Sequence, residues 1–126
     1  MKDISYDIIG CALEVHSQLG PGLLESVYQK ALAYELRQKG YDAKTEVPVK
    51  IKYKDLVIDS DLRVDILVND SIILELKSVE YLTPLHKKQL LTYLRLMNKS
   101  LGLLINFNVV RLKDGVERLV NNFRTD

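Results

Sequence analysis

The chain has 126 residues, of which 47% are hydrophobic, and a formal net charge of +1. This length predicts one domain, residues 1–126, and the apolar content excludes a disordered chain. The near-neutral charge excludes binding of nucleic acid through the overall field of the protein, so any phosphate-binding surface must be local.

Cellular location is indicated by three further features. The single cysteine, Cys11, excludes an intramolecular disulfide and is typical of a reducing compartment. Residues 1–20 lack the basic start and apolar run of a secretory signal. No apolar stretch approaches the roughly 20 residues that cross a bilayer. We therefore expect a soluble cytoplasmic protein with no membrane partner.

Two helices are predicted at the start of the chain. Apolar residues recur every three or four positions over residues 4–19 and again over residues 23–39. The segment Gly20-Pro21-Gly22 separates the two helices, and Gly40 is a suitable residue to end the second.

A period of two replaces the helical one after residue 40. Apolar residues alternate with lysines up to residue 54, which predicts one strand with a solvated face, followed by a turn at Lys54-Asp55. Strand-like sequence at residues 56–68 is interrupted at 59–61. Asn69-Asp70 then predicts a tight turn into a third strand at residues 71–79.

The last part of the chain begins with a helix. Thr83 is a suitable N-cap and Pro84 a suitable first helical residue, and the helix should continue to about residue 98. Residues 101–107 have the pattern of a strand covered on both faces, and residues 109–112 indicate a further strand, with a turn at Asp114-Gly115 before a short terminal element. The order α-α-β-β-β-α-β predicts an α/β fold with a mixed sheet flanked by helices.

Three charged residues occur within the apolar strands. Glu75 and Lys77 are two apart and therefore share a face, and the hairpin should bring Asp65 close to Glu75, offset by about one residue. Buried charges are costly unless they are paired or bound to a metal. Two carboxylates and the Leu76 carbonyl would suit Mg²⁺ or Mn²⁺, and Lys77 would steady a nucleophilic water or developing charge. The alternative is a Glu75–Lys77 ion pair on a solvated face.

Three residues of the third helix, His86, Gln89 and Tyr93, lie on one stripe that could face the same cleft. Gln89 could orient a water or a phosphate, and Tyr93 could stack or form a hydrogen bond. The alternative is an ordinary polar rim. Glu25 falls in the first turn of the second helix, where the helix dipole favours a carboxylate in any case.

The ordered set of Asp65, Glu75-Leu76-Lys77 and the Gln89-x-x-x-Tyr93 pair resembles the PD-(D/E)xK nuclease superfamily. The last pair resembles the RecB-like branch of that superfamily. Residues 22–28, Gly-Leu-Leu-Glu-Ser-Val-Tyr, look like the signature of the GxxExxY family, as do residues 103–108. The resemblance covers roughly residues 4–121, and Val64 replaces the proline that often precedes the motif aspartate.

This resemblance implies a restriction-endonuclease-like core and a metal-dependent nuclease that acts on DNA in preference to RNA. The residues it implicates are Asp65 and Glu75 as metal ligands with the Leu76 carbonyl, Lys77 as catalytic lysine, Glu25 as a catalytic residue that reaches the metal directly or through water, and Gln89 and Tyr93 as substrate-binding residues. The alternative is an inactive module of the same fold that binds nucleic acid or a protein partner. The near-neutral charge and the small size of the chain argue for dependence on a protein partner or on a homodimer.

Overall fold

The structure, a computed structural model, describes residues 3–121. The ends of the predicted domain, residues 1 and 126, lie outside the described residues. The elements in chain order are α1 Ser5–Leu19, α2 Glu25–Gln38, β1 Ala43–Pro48, β2 Ile51–Tyr53, β3 Leu56–Ile58, β4 Arg63–Val68, β5 Ile72–Lys77, α3 Pro84–Met97, β6 Leu101–Asn106, a single 3₁₀ turn Leu112–Gly115, and β7 Val116–Val120.

A five-stranded mixed sheet in the order β1-β4-β5-β6-β7 forms the centre of the fold. All neighbours are antiparallel except β5 and β6, which run parallel and are joined by α3. Buried residues of α1 and α2 pack on one side of the sheet, and those of α3 pack in a second cluster. The predicted α/β class, with a mixed sheet flanked by helices, is confirmed.

Local sequence signals set several of the element ends. At the start of α3, Thr83 Oγ1 accepts the N–H of His86, and His86 Nδ1 accepts the N–H of Thr83. This capping box confirms the predicted helix start. Asn69 and Asp70 both have φ of 52°, the left-handed geometry of a tight hairpin turn, as predicted.

The prediction of one lysine-bearing strand that continues to residue 54 is wrong. The chain forms β1 and then β2, and β2 pairs only with β3 in a separate two-stranded sheet. The break has a physical cause, because Ala43 packs with α1 and α2 whereas Val49 packs in the α3 cluster. Glu46 lies between them with φ of 53°, so the chain changes sides within β1.

The prediction of a strand at residues 109–112 is also wrong, because this segment leads into the 3₁₀ turn Leu112–Gly115. That 3₁₀ turn lies where a turn at Asp114-Gly115 was predicted. The predicted short terminal element is β7, which pairs with β6. Gly115 packs so closely that a Cβ atom there would lie 2.3 Å from the Asn106 carbonyl oxygen.

Among residues 3–121, no helix combines the length and the apolar character needed to cross a membrane.

Candidate active site

Strands β4 and β5 bring Asp65 and Glu75 together. Their regular pairing ends with Ile66 opposite Leu74. Asp65 and Glu75 lie one residue beyond this last pair on their respective strands, and the predicted offset of about one residue between them stays a prediction. The two acids stand where the regular ladder stops.

Side chains replace the ladder hydrogen bonds at this point. Glu75 Oε2 accepts the N–H of Asp65 at 2.8 Å, and Asp65 Oδ2 accepts the N–H of Leu76 at 2.7 Å. Each carboxylate thus binds the backbone of the opposite strand through one oxygen. The second oxygens, Asp65 Oδ1 and Glu75 Oε1, accept no hydrogen bond from the described residues.

The acid pair lies in a poorly solvated position. Glu75 is only 7% exposed, and burial together with the charge of Asp65 raises its pKa from 4.5 to about 8. Burial also raises the pKa of Asp65 above its usual range. Two negative charges are therefore unfavourable here until a cation joins them.

Lys77 and Leu76 lie at the end of β5 beside these acids. Burial raises the pKa of both Asp65 and Glu75, and the positive charge of Lys77 partly offsets that rise, so its ammonium group lies within electrostatic reach of both carboxylates. No ion pair joins Glu75 to Lys77 in the described part of the chain. Because Glu75 is buried, the alternative of an ion pair on a solvated face does not describe this strand.

Glu25, the first residue of α2, faces the acid pair from the helix. Its charge raises the pKa of both Asp65 and Glu75. It lines a cavity of about 260 Å³ with Ser26, Gln29, Glu46 and Asp65. The N-terminus of α2, which is the positive end of the helix dipole, lies at this cavity and favours a negatively charged group there.

Helix α3 carries the predicted stripe of His86, Gln89 and Tyr93, whose three side chains have different surroundings. Tyr93 is 5% exposed, and burial first, then the charges of Glu75 and Asp65, raise the pKa of its hydroxyl. Gln89 is exposed, and its side chain forms no hydrogen bond with the rest of residues 3–121. His86 caps the helix. Of the three, Tyr93 is the one that the charges of Glu75 and Asp65 affect.

A family model described as the PD-(D/E)XK nuclease superfamily matches residues 2–119. The chain belongs to this superfamily. Membership indicates a nuclease with a nucleic acid substrate, and such nucleases generally use divalent metal ions. The mixed five-stranded sheet is consistent with the restriction-endonuclease-like fold of the superfamily. No curated protein and no solved structure matches the chain.

The acid pair of this PD-(D/E)XK chain fits a divalent cation. Carboxylate oxygens are hard ligands, and the two unbonded oxygens of Asp65 and Glu75 belong to opposed residues. Within residues 3–121, no three side chains of His, Cys, Asp or Glu are already gathered as a ligand group. A cation would therefore complete its coordination with backbone oxygen, water or substrate phosphate, as Mg²⁺ commonly does.

Two residues of the site were missed from the sequence. Glu46 falls directly opposite Asp65 in the β1–β4 register, and Gln29 Nε2 donates to Glu46 Oε2 at 2.7 Å and to the Asp65 carbonyl at 2.9 Å. A signal existed for Gln29, which lies four residues after Glu25 and so on the same helix face. No comparable signal existed for Glu46, because its position depends on the turn of β1 from one core to the other.

Proposed function

We propose that this protein is a nuclease that hydrolyses phosphodiester bonds in DNA with the help of Mg²⁺ or Mn²⁺. The observation that carries the proposal is the opposed pair of Asp65 and Glu75. Each acid is fixed by a backbone N–H and keeps one oxygen without a hydrogen bond from the described residues. Superfamily membership supports the nuclease part of the proposal.

Asp65, Glu75 and the Leu76 carbonyl would hold the cation. The ion, when bound, supplies Lewis-acid activation of a water and neutralises charge on the scissile phosphate. Glu25, which lines a cavity together with Asp65, would orient that water or bind the ion through it. Its place at the first turn of α2, beside Asp65 in that cavity, supports this role.

Lys77 would supply the positive charge that the reaction needs at the phosphate. As negative charge develops on the phosphoryl oxygens, a fixed ammonium group stabilises it more strongly than water does. Tyr93 would contact the substrate or support Glu75 from α3. Gln89 is exposed on the same helix and would bind the substrate, by orienting a water or a phosphate.

The finer assignments rest on sequence motifs. Placement in the GxxExxY family is supported by residues 22–28, and placement in the RecB-like branch by Gln89 and Tyr93. The preference for DNA over RNA is supported by the same resemblance.

Cleavage of defined substrates tests this function. The purified protein is incubated with single-stranded DNA, double-stranded DNA and RNA in Mn²⁺ or Mg²⁺, with EDTA as one control. Lys77→Ala removes the proposed catalytic charge. Lys99→Ala is the matched control, because Lys99 pairs with Asp70 near the hairpin turn at the other end of the strands.

We expect metal-dependent cleavage that EDTA and Lys77→Ala abolish and that Lys99→Ala leaves intact. Equal cleavage by both lysine variants would contradict the role of Lys77. Absence of cleavage together with absence of Mn²⁺ binding would refute the proposal and favour the inactive nucleic-acid-binding or protein-binding module.

A further inference from the structure

Tyr28 has a hydroxyl group that its packing does not require. Its ring is fully buried and stacks on Phe107 with a centroid distance of 4.4 Å and an interplanar angle of 6°. A phenylalanine would fill the same space. The hydroxyl, however, donates to the Gly20 carbonyl at 2.6 Å and accepts the N–H of Leu23 at 3.1 Å.

These two hydrogen bonds close the loop that leads into α2. Gly20 and Gly22 have φ of 73° and 92°, a left-handed geometry that the loop must hold against other conformations. The N-cap residue, Leu24, has no side chain that could bind the free N–H groups of the helix. The Tyr28 hydroxyl therefore holds the loop that ends at Glu25.

The same loop is also bound to the strand that carries Lys77. Ser78 Oγ donates to the Leu23 carbonyl at 2.7 Å. The Lys77 carbonyl accepts the N–H of Phe107 at 2.9 Å, and Phe107 is the residue on which Tyr28 stacks. The loop is thus held from within by Tyr28 and from the β5 side by Ser78.

We propose that Tyr28 is a positioning residue of the nuclease, whose hydroxyl fixes the Gly20–Leu23 loop so that Glu25 faces the acid pair. This inference rests on the proposed function, because it assigns Glu25 a task at the cation. A purely structural tyrosine would affect stability alone, whereas a positioning tyrosine also affects cation binding and turnover.

The test compares Tyr28→Phe with Tyr41→Phe. Tyr28→Phe keeps the stacked ring and removes only the hydroxyl. Tyr41→Phe is the matched control, because it removes a hydroxyl that donates to the Asp7 carboxylate on α1. Melting temperature, Mn²⁺ affinity by calorimetry, and kcat and KM for DNA cleavage are measured for both variants.

We expect Tyr28→Phe to lower kcat about tenfold with KM nearly unchanged, because small misplacements of catalytic groups are costly. Its Mn²⁺ affinity should fall about threefold. In a Glu25→Gln background, Tyr28→Phe should weaken Mn²⁺ binding no further, since residues acting through one another are non-additive. Tyr41→Phe should lower only the melting temperature.

Two kinds of failure are distinguishable. If the unaltered protein cleaves DNA and binds Mn²⁺ while Tyr28→Phe changes only the melting temperature, the positioning role is refuted and the nuclease stands. Full additivity with Glu25→Gln would refute it as well. If the unaltered protein neither binds Mn²⁺ nor cleaves, the proposed function itself fails, and the inference fails with it.

Discussion

The buried Glu75 should make the metal-free protein less stable as the pH rises. Its folded-state pKa, about 8, is above the ordinary 4.5, so the folded protein holds this proton more tightly than the unfolded chain. The associated stability is fully present below about pH 4.5 and is lost as the pH rises through about 8. Glu75→Gln removes the titration and keeps an oxygen that can accept the N–H of Asp65.

The magnitude follows from the two pKa values. Each pH unit between them corresponds to about 1.4 kcal/mol. The upper bound is therefore roughly 5 kcal/mol of unfolding free energy. The actual loss of unfolding free energy should be about half of this upper bound. One reason is that the pKa of Asp65 is also raised, so the repulsion between the two acids is not a property of Glu75 alone. The other is that the effective dielectric constant of a protein is higher than that of a dry interior. A difference of 2–3 kcal/mol would shift the melting temperature of a domain of this size by roughly 10 °C.

Thermal and urea unfolding in EDTA between about pH 5 and pH 9 provide the assay. The stability of Glu75→Gln relative to the unaltered protein should increase as the pH rises. Addition of Mn²⁺ at pH 8 should raise the melting temperature of the unaltered protein but not that of the variant. Glu14→Gln, the same exchange on the exposed side of α1, is the control for the substitution itself. A stability difference between Glu75→Gln and the unaltered protein that stays constant from pH 5 to pH 9 would refute the reasoning.

Three further substitutions test the site and its support. Asp65→Asn should abolish cleavage in a nuclease assay without lowering the melting temperature of the metal-free protein, since the amide keeps an oxygen acceptor and removes one of two unfavourable charges. Retained cleavage would contradict the metal role. Asn106→Ala leaves the half-buried N–H of Val79 without its acceptor, while the Val79 carbonyl keeps Asn108 Nδ2 as a donor, and should cost about 1–3 kcal/mol in urea unfolding. Gly115→Ala forces a Cβ against backbone and should destabilise by about 3 kcal/mol or more, whereas Gly10→Ala has open space and should not; equal effects would contradict the packing argument.

Local signals predicted most of the fold. The helical period defined α1 and α2, and the Thr83-Pro84 start defined α3, because capping and periodicity depend only on neighbouring residues. The same holds for the Asn69-Asp70 turn, where short polar side chains tolerate positive φ. The division of the first strand was not predictable in this way, since it depends on which core Val49 joins.

The site divides along similar lines. Asp65 and Glu75 are adjacent in space because a short hairpin joins their strands, so a sequence pattern is enough to bring them together. The end of the regular β4–β5 ladder at Ile66 and Leu74 was not predictable in this way, because it depends on the side-chain hydrogen bonds that the two acids form with the opposite strand. Glu46 reaches the same cavity from an edge strand distant in sequence, and only the sheet order reveals it.

The hydrogen bonds that Asp65 and Glu75 accept from the backbone of the opposite strand limit which substitutions the fold tolerates at these two positions. Replacement of either acid by alanine would leave a backbone N–H without its acceptor in a poorly solvated position. Asparagine at 65 or glutamine at 75 would keep that acceptor. A descendant of this chain that gave up catalysis would therefore tend to carry amides in place of the two acids, and such amides in related sequences would mark lineages retained for binding alone.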